Sequence, residues 1–281
     1  MALIESLILV FVAGFITDLA TGIGAIPFFF VDEMSDRLLV ALWGLAAGIM
    51  SSASVLGLIP EGLAAGTVLE VGAGMALGFA LVIGARKLVG DVELEPKHFK
   101  EADLKRLIVI LGVLTVHSFP EGIAIGVSFA EMGLQGGIPI FGLAVPMLAI
   151  TMTIAISIHN IPEGVAISIP FKSMKISNWK MLGGTIFSSL PQPIGAVIAY
   201  FFVEQAQWIL APGFGFAAGA MLYLVATEFV EESREQAVEC AWGRNFLIGG
   251  LAGFVFMVPF FLVGQAQFME LLDFISVVGT P

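Results

Sequence analysis

Two copies of one short sequence motif place a histidine and a glutamate where they can bind a metal ion together. HSFPEGIAI begins at His117, and HNIPEGVAI begins at His159. In each copy the glutamate, Glu121 or Glu163, follows its histidine by four positions. On a helix both side chains then lie on one face, one turn apart. Imidazole and carboxylate groups are ligands for divalent transition metals, so two such faces packed together predict a site of four side chains.

A proline precedes each glutamate, and a glycine follows it. Pro120 and Pro162 have no backbone N–H, so each is expected to kink its helix. Gly122 and Gly164 have no side chain, so each allows a neighbouring helix to approach closely. The pattern therefore predicts kinked helices that carry the metal site and pack tightly against their neighbours.

The composition is that of a chain that lies almost entirely within a membrane. Of the 281 residues, 58% are hydrophobic and 12% are charged, whereas a soluble domain has about 25% charged residues. The single cysteine, Cys240, excludes an internal disulfide and a cysteine-rich metal cluster. The net charge of −11 argues against a nucleic-acid partner, which requires a basic surface. The apolar N-terminus lacks a basic leader, and we expect it to be a retained helix.

Apolar segments predict eight transmembrane helices, since a spanning helix needs about 20 mostly apolar residues. The fold class is therefore an all-α polytopic membrane protein, with one transmembrane domain over residues 1–281. The only substantial polar loop, 90–106, joins the third and fourth helices. The predicted helices 1 to 8 cover residues 3–30, 38–60, 71–89, 107–130, 139–170, 181–203, 208–231 and 245–269.

The basic residues orient these helices in the membrane. Of the 12 Lys and Arg residues, ten fall in loops 1–2, 3–4, 5–6 and 7–8, and Arg86 and Lys87 fall at the end of helix 3 beside loop 3–4. None falls at a terminus or in another loop. By the positive-inside rule, these four loops are cytoplasmic and both termini lie outside. We therefore expect a multi-pass protein of the plasma (inner) membrane, with the 90–106 loop in the cytosol.

A second repeat relates helices 2 and 7. AAGIM at 46–50 matches AAGAM at 217–221, and an acid, Glu61 or Glu232, follows 15 residues after each first alanine. Helices 2 and 7 run in opposite directions across the membrane, and so do helices 4 and 5. Inverted repeats around a site at the membrane midplane are typical of secondary transporters. Small-residue packing motifs also recur by chance in membrane helices, so that alternative stays open.

Taken together, these motifs resemble the ZIP family of divalent metal transporters. HSFPEG and HNIPEG carry the resemblance, and PQPIGA at 191–196 and GAMLYLVATEFVEES at 219–233 support it. The resemblance covers essentially the whole chain. It implies uptake of zinc, iron or related ions such as cadmium and manganese, a site between helices 4 and 5, a homodimer and elevator-like alternating access. It also implies that Met50 in AAGIM contacts the metal, which is substrate rather than a prosthetic group.

Three positions resemble ligands of a second, adjacent metal in two-metal members of this family. They are Ser118, where Asn is frequent, Asn160, where some members have Asp, and Gln192, where Glu often precedes the proline. None carries a charge here. Two dications would face only two carboxylates, and the excess charge inside a bilayer is costly. The sequence therefore predicts one tightly held ion.

Other acidic residues lie in or near the predicted helices. Asp18 and Glu228 either line a path and relay protons or are satisfied by interhelical hydrogen bonds. Glu61 is expected near the outer surface, where it gathers cations, and Glu232 is a further candidate for the pathway. The 90–106 loop has one histidine, His98, and a solvated charged loop is preferred there over metal capture.

Three functions are compatible with these ligands. A carrier for divalent transition metals is preferred, and a metal-selective channel is the alternative that the sequence does not separate from it. An intramembrane metalloenzyme is disfavoured, because HxxPE lacks the glutamate that stands beside a ligand histidine in HExxH. We therefore expect no enzymatic activity, and the chain has no Walker A motif for ATP-driven pumping.

Overall fold

The computed structural model describes residues 2–89, 118–130, 132, 137–237 and 240–262. The 90–106 loop, the first part of predicted helix 4 with His117, and the end of predicted helix 8 lie outside these residues. The helices of the described part are α1 (Ala2–Ile23), α2 (Asp36–Ser52), α3 (Ile59–Ala65), α4 (Val68–Val89), α5 (118–128), α6 (Met147–Ser173), α7 (Asn178–Ser189), α8 (Pro191–Gln205), α9 (Leu210–Leu224), α10 (Val230–Glu235) and α11 (Trp242–Leu262).

Within the described residues, six helical stretches are long and apolar enough to cross a membrane. They coincide with predicted helices 1, 2, 5, 6, 7 and 8, and the shorter apolar helix Val68–Gly84 coincides with predicted helix 3. The fold is that of an all-α polytopic membrane protein, and the count of eight spanning helices stays a prediction. The six stretches are Leu3–Phe29, Asp36–Ala65, Met147–Lys172, Asn178–Gln205, Gln207–Glu235 and Trp242–Phe261.

The outward helix faces are apolar, as a lipid environment requires. Along α11 the exposed side chains Leu247, Leu251 and Val255 recur at every fourth position, so they form one stripe on the outer surface. Ile8 and Ile16 are exposed in the same way on α1. Contiguous apolar surface of this kind is rare on a protein surrounded by water.

Predicted helix 5 begins later than its hydrophobicity indicates. Its first residues form a β-hairpin in which β1 (Ile138–Ile140) pairs antiparallel with β2 (Leu143–Val145). The turn residues Phe141 and Gly142 have φ values of 48° and 80°, the backbone of a two-residue hairpin turn. The predicted helix start at 139 is therefore wrong, and α6 begins at Met147. Hydrophobicity alone does not distinguish these short apolar strands from a helix.

Predicted helix 6 is broken rather than continuous. A turn at Leu190 separates α7 from α8, and α8 begins with Pro191. Proline cannot donate the backbone hydrogen bond that would join the two segments, and it is favoured in the first turn of a new helix. The prediction of one helix over 181–203 is wrong at this point, although the two segments together form one spanning stretch.

Predicted helices 2 and 7 share a backbone irregularity as well as a sequence motif. A π-helical segment, Ala53–Leu58, joins α2 to α3, and another, Val225–Phe229, joins α9 to α10. Each segment follows its AAGxM motif within a few residues. A π turn adds a residue to the turn and so rotates every following side chain around the helix axis. The common position of the two π turns supports a structural relation between the two helices.

Two helix pairs pack through glycine faces, α2 with α11 and α4 with α9. A methyl group on Gly48 would collide with the carbonyl oxygen of Gly250, and one on Gly74 would collide with that of Pro212. In the numbering of the predicted helices, helix 2 (α2) packs against helix 8 (α11), and helix 7 (α9) packs against helix 3 (α4). If helices 2 and 7 are related by the repeat, these two pairings are related as well. The glycines are four apart on each helix: Gly44 and Gly48, Gly249 and Gly253, Gly74 and Gly78, Gly215 and Gly219.

The close contact of α4 with α9 predicts a specific stability effect. Gly74→Ala should lower the midpoint temperature of unfolding in detergent by several degrees, because overpacking costs about 1–3 kcal/mol. Gly72→Ala on the same helix is the matched control, because a methyl group there meets nothing within 4 Å. It should leave the midpoint unchanged or raise it, since alanine favours the helix. Equal midpoints for the two variants would contradict the packing.

Candidate metal centre

Three of the four histidine and glutamate residues of the duplicated motif meet in one buried cluster. Glu121 projects from α5, and His159 and Glu163 project from α6, with one ligand atom of each within 4.8 Å of the others. Their exposed fractions are 1%, 0% and 3%. The Nε2 atom of His159 lies 3.1 Å from Oε1 of Glu121 and 4.0 Å from Oε2 of Glu163. The fourth residue, His117, lies outside the described residues.

The glycine after each glutamate holds the cluster against other helices. A methyl group on Gly122 would collide with the backbone carbonyl of Gln192 on α8, and one on Gly164 with that of Thr21 on α1. The predicted close approach at both glycines is confirmed. Because each glutamate directly precedes its glycine, these contacts fix where the carboxylates stand. α6 runs through Pro162 as one helix, and the predicted kinks stay predictions.

A chain of neutral side chains supports the cluster from α8 and α1. Gln192 donates from Nε2 to Oε2 of Glu121. Its own Oε1 accepts from Nδ2 of Asn160 at 3.0 Å and from Oγ1 of Thr17 at 2.7 Å. Nδ2 of Asn160 also donates to the carbonyl of Thr17 at 2.8 Å. Ser118 stands apart from this chain, with its hydroxyl donating to the carbonyl of Ser188 at 3.3 Å.

Thr17 and an aromatic pair are neighbours of the site that the sequence did not indicate. Phe229 lies parallel to the imidazole of His159, with ring centroids 6.2 Å apart and an interplanar angle of 29°. Trp43 packs against Phe229, with ring centroids 5.1 Å apart. Phe229 ends the π segment after α9, so its position depends on a turn that no motif announces. Phe229 therefore links the imidazole of His159 to Trp43 on α2.

The remaining candidate ligands and pathway residues are spread over the bundle. Met50 is buried on α2, which packs against α6, and it belongs to the same hydrophobic cluster as residues of α6. Glu61 is exposed on α3, whereas Glu228 in the π segment and Glu232 on α10 are half-buried. Asp18 is fully buried on α1. In the part of the chain that the structure describes, none of these acids joins a group of three metal-ligating side chains.

The chain is similar in sequence to known metal transporters. The family model described as "ZIP Zinc transporter" matches residues 90–260. Zinc transporter ZIPB of Bordetella bronchiseptica is 30% identical over 250 residues, which are 85% of this chain and 76% of that protein. The chain belongs to the ZIP family. Zinc transporter GufA of Myxococcus xanthus is 28% identical over 255 residues, or 87% of this chain and 94% of that protein.

A relative from a plant, named as a putative zinc transporter, is longer. An Arabidopsis thaliana protein is 34% identical over 220 residues, which are 78% of this chain. Those residues are 33% of the plant protein, so this chain spans about a third of that relative's length.

The donor atoms of the ZIP-family cluster suit a transition-metal dication. One imidazole nitrogen and carboxylate oxygens are ligands of zinc and iron, whereas Mg²⁺ and Ca²⁺ prefer oxygen alone. Glu121 and Glu163 together carry the charge that neutralises one dication. Charge balance matters here, because the side chains are buried and an unpaired charge inside a membrane is costly.

Proposed function

We propose that this ZIP-family chain transports zinc and related divalent transition-metal ions across the membrane into the cytosol. The observation that carries the proposal is the buried group of Glu121, His159 and Glu163 on two neighbouring helices of a membrane bundle. Its bacterial relatives ZIPB and GufA are both named as zinc transporters, which agrees with the proposal. The chain is a transporter rather than an enzyme in this proposal, and the metal is its substrate.

Two further residues that the sequence indicates, His117 and Met50, are part of the proposed site. His117 stands four residues before Glu121, so its imidazole completes the set if the helix continues without a break. Met50 supplies a thioether from α2. A thioether favours softer ions such as Zn²⁺, Cd²⁺ and Fe²⁺ over Mg²⁺ and Ca²⁺. Manganese is accepted less readily in this arrangement because it is a harder ion.

The proposed path uses acids on both sides of the site. In the predicted orientation, Glu61 lies near the outer surface and gathers hydrated ions, and Glu228 and Glu232 lie towards the cytosol. The ion exchanges its water for the ligands of the cluster. The site then opens inward, and protonation of its ligands weakens binding, since they hold metal only when deprotonated. A homodimer with elevator-like movement in the plasma membrane is part of the proposal.

Flux measurements separate the proposed carrier from a metal-selective channel. Purified protein in proteoliposomes should take up zinc at an initial rate that saturates with external zinc, with a turnover within the range of a conformational cycle. Such cycles take microseconds to seconds. A rate that rises linearly with zinc far beyond that turnover would favour the channel. If the proteoliposomes show no zinc-dependent flux at all, neither a carrier nor a channel is supported and the proposed transport is contradicted.

The proposed orientation predicts which loop residues can be labelled from outside. Gln207, which follows α8, and Ser177, which precedes α7, are both exposed. With Cys240 replaced by serine, Gln207→Cys should react with an impermeant maleimide on intact cells. Ser177→Cys should react only after the membrane is permeabilised. Equal labelling of both cysteines in intact cells would overturn the orientation.

A further inference from the structure

Asp18 is a buried acid outside the metal centre. Its side chain has an exposed fraction of 0%, and in the part of the chain that the structure describes neither carboxylate oxygen has a hydrogen-bond partner. The alternative that interhelical hydrogen bonds satisfy Asp18 therefore has no support among these residues. An ionised carboxylate without a partner costs several kcal/mol in the interior of a protein.

The neighbours of Asp18 on its helix show which way its side chain faces. Four residues of α1 surround Asp18 on one face of the helix: Gly14, Thr17, Thr21 and Gly22. All four contact residues 186–193, the segment where α7 ends and α8 begins. The contacts are Gly14 with Pro193, Thr17 with Gln192, Thr21 with Ser189, and Gly22 with Ile186. Asp18 therefore faces the break between α7 and α8.

This break offers few hydrogen-bond donors to a carboxylate. Pro191 and Pro193 lack the N–H groups that the first turn of a helix normally presents. Thr17 donates to Gln192 and Ser189 donates to Thr21 at 2.8 Å, so the hydroxyl hydrogens of Thr17 and Ser189 are already engaged. Within the described residues, the two prolines and these two engaged hydroxyls are consistent with the lack of a hydrogen-bond partner for Asp18.

Among the described residues of the helices that pack against α1, no cation stands beside Asp18. On α7, Lys180 is exposed at the start of the helix, far from the break. On α6, Lys172 binds Asp32 at 3.2 Å. The other titratable groups on α6 and α8, or in contact with them, form two sets. His159, Glu163 and Glu121 belong to the metal centre. Tyr200 and Glu204 lie near Ser6, which is three turns away from Asp18 on α1.

We propose that Asp18 is a proton-binding site, separate from the metal centre, whose carboxyl group is protonated in this conformation. A metal ion fits it poorly, because Asp18 belongs to no group of three ligating side chains among the described residues. A neutral carboxyl needs no charge partner and can occupy the site without the cost of a buried ion.

The proton has a defined place in a transport cycle if the proposed function holds. α1 packs against α6, α7 and α8, so a movement that opens the metal centre also displaces Asp18 from the break. Water then reaches the carboxyl group, its O–H bond breaks, and the proton passes to water while Asp18 keeps the electron pair. When the bundle opens to the other side of the membrane, a proton from water on that side restores the acid. Each cycle therefore moves one proton through Asp18.

Infrared spectroscopy tests the protonated acid without any transport measurement. Wild-type protein at neutral pH should show the C=O stretch of a protonated carboxyl group that lacks strong hydrogen bonds, and ¹³C-labelling of aspartate should shift it. Asp18→Asn should remove this band, and Glu5→Gln, an exposed acid on the same helix, should retain it. Asp18→Glu is the second variant if Asp18→Asn does not fold. Its band should no longer shift when aspartate is ¹³C-labelled, because glutamate does not carry the label. A wild type without the band, or a band that survives in Asp18→Asn, would overturn the proposal.

Proteoliposomes test the role in the cycle. With a trapped pH indicator, Asp18→Asn should carry one proton fewer per zinc than wild type, while zinc bound per purified chain stays the same. Loss of a bound zinc in Asp18→Asn would make Asp18 a metal ligand, and a sodium requirement that disappears in the variant would make it a sodium site; either overturns the proposal. If wild type carries no zinc, the proposed function fails, and the infrared result still decides whether Asp18 is protonated.

Discussion

Glu163→Ala and Glu121→Ala are each expected to abolish zinc uptake while leaving the protein in the membrane. Each variant removes one of two buried carboxylates and leaves a dication with half of its balancing charge. Loss of a buried charge partner costs about 3–5 kcal/mol. At about 1.4 kcal/mol per tenfold, metal binding should weaken by a factor of about a hundred to several thousand. The initial rate of radioactive zinc uptake into proteoliposomes measures the effect.

The two variants should differ in their effect on the surrounding protein. Glu121 contacts both His159 and Gln192, so Glu121→Ala removes a partner of each.

Glu228→Ala is the comparison, since Glu228 is half-buried in the π segment and lies outside the cluster. It should reduce uptake less than either core variant. Uptake at the wild-type rate by Glu121→Ala or Glu163→Ala, with equal protein reconstituted, would refute the proposed site.

The duplicated motif contains the three side chains that the structure brings together, and its fourth residue, His117, lies outside the described residues. The four-residue spacing of His159 and Glu163 places both on one face of a helix, and the glycine after each glutamate marks the face on which another helix packs. Both features are local, because they depend on the helix period and on the absence of a side chain. Local features of this kind can be read from sequence without knowledge of the partner helix.

The errors in the helix assignment have a common cause. At 138–145 the chain is apolar throughout, and around Leu190 no charged residue interrupts the predicted helix, so hydropathy marks neither change of the backbone. The deciding signals were Pro146 before α6 and Pro191 before α8, which end or begin helices because they lack an N–H. In a membrane chain these prolines carry more information about helix boundaries than the length of the apolar run.

The residues around the cluster could not be predicted, because long-range packing decides their positions. Thr17 reaches Gln192 across 175 positions of sequence, and Phe229 reaches His159 through a π turn. Neither belongs to a motif with a spacing of its own. The burial of Asp18 against the α7–α8 break is of the same kind. Such contacts become visible only when the helices are assembled.

The number of bound ions depends on the neutral chain beside Glu121. Two dications against Glu121 and Glu163 would leave a net charge of about +2 inside the bilayer, which is costly. Gln192 also directs an N–H₂ group at Glu121, where a second cation would need an acceptor. Asn160 and Thr17 hold the amide in that orientation. We therefore expect one tightly bound zinc per chain in the wild type after a brief chelator wash.

Gln192→Glu should raise the number of bound ions towards two. Glutamate keeps an oxygen that accepts from Asn160 and Thr17, but it replaces the donor towards Glu121 with a second carboxylate. The two carboxylates repel each other unless a cation lies between them, and ions in two-metal sites stand about 3.5–4 Å apart. Zinc per chain, measured by mass spectrometry, and anomalous scattering from zinc-soaked crystals report the count. Gln205→Glu, the same change at an exposed position of α8, should leave it at one. Two peaks of comparable height in the wild type that both survive the wash would refute the single-ion site.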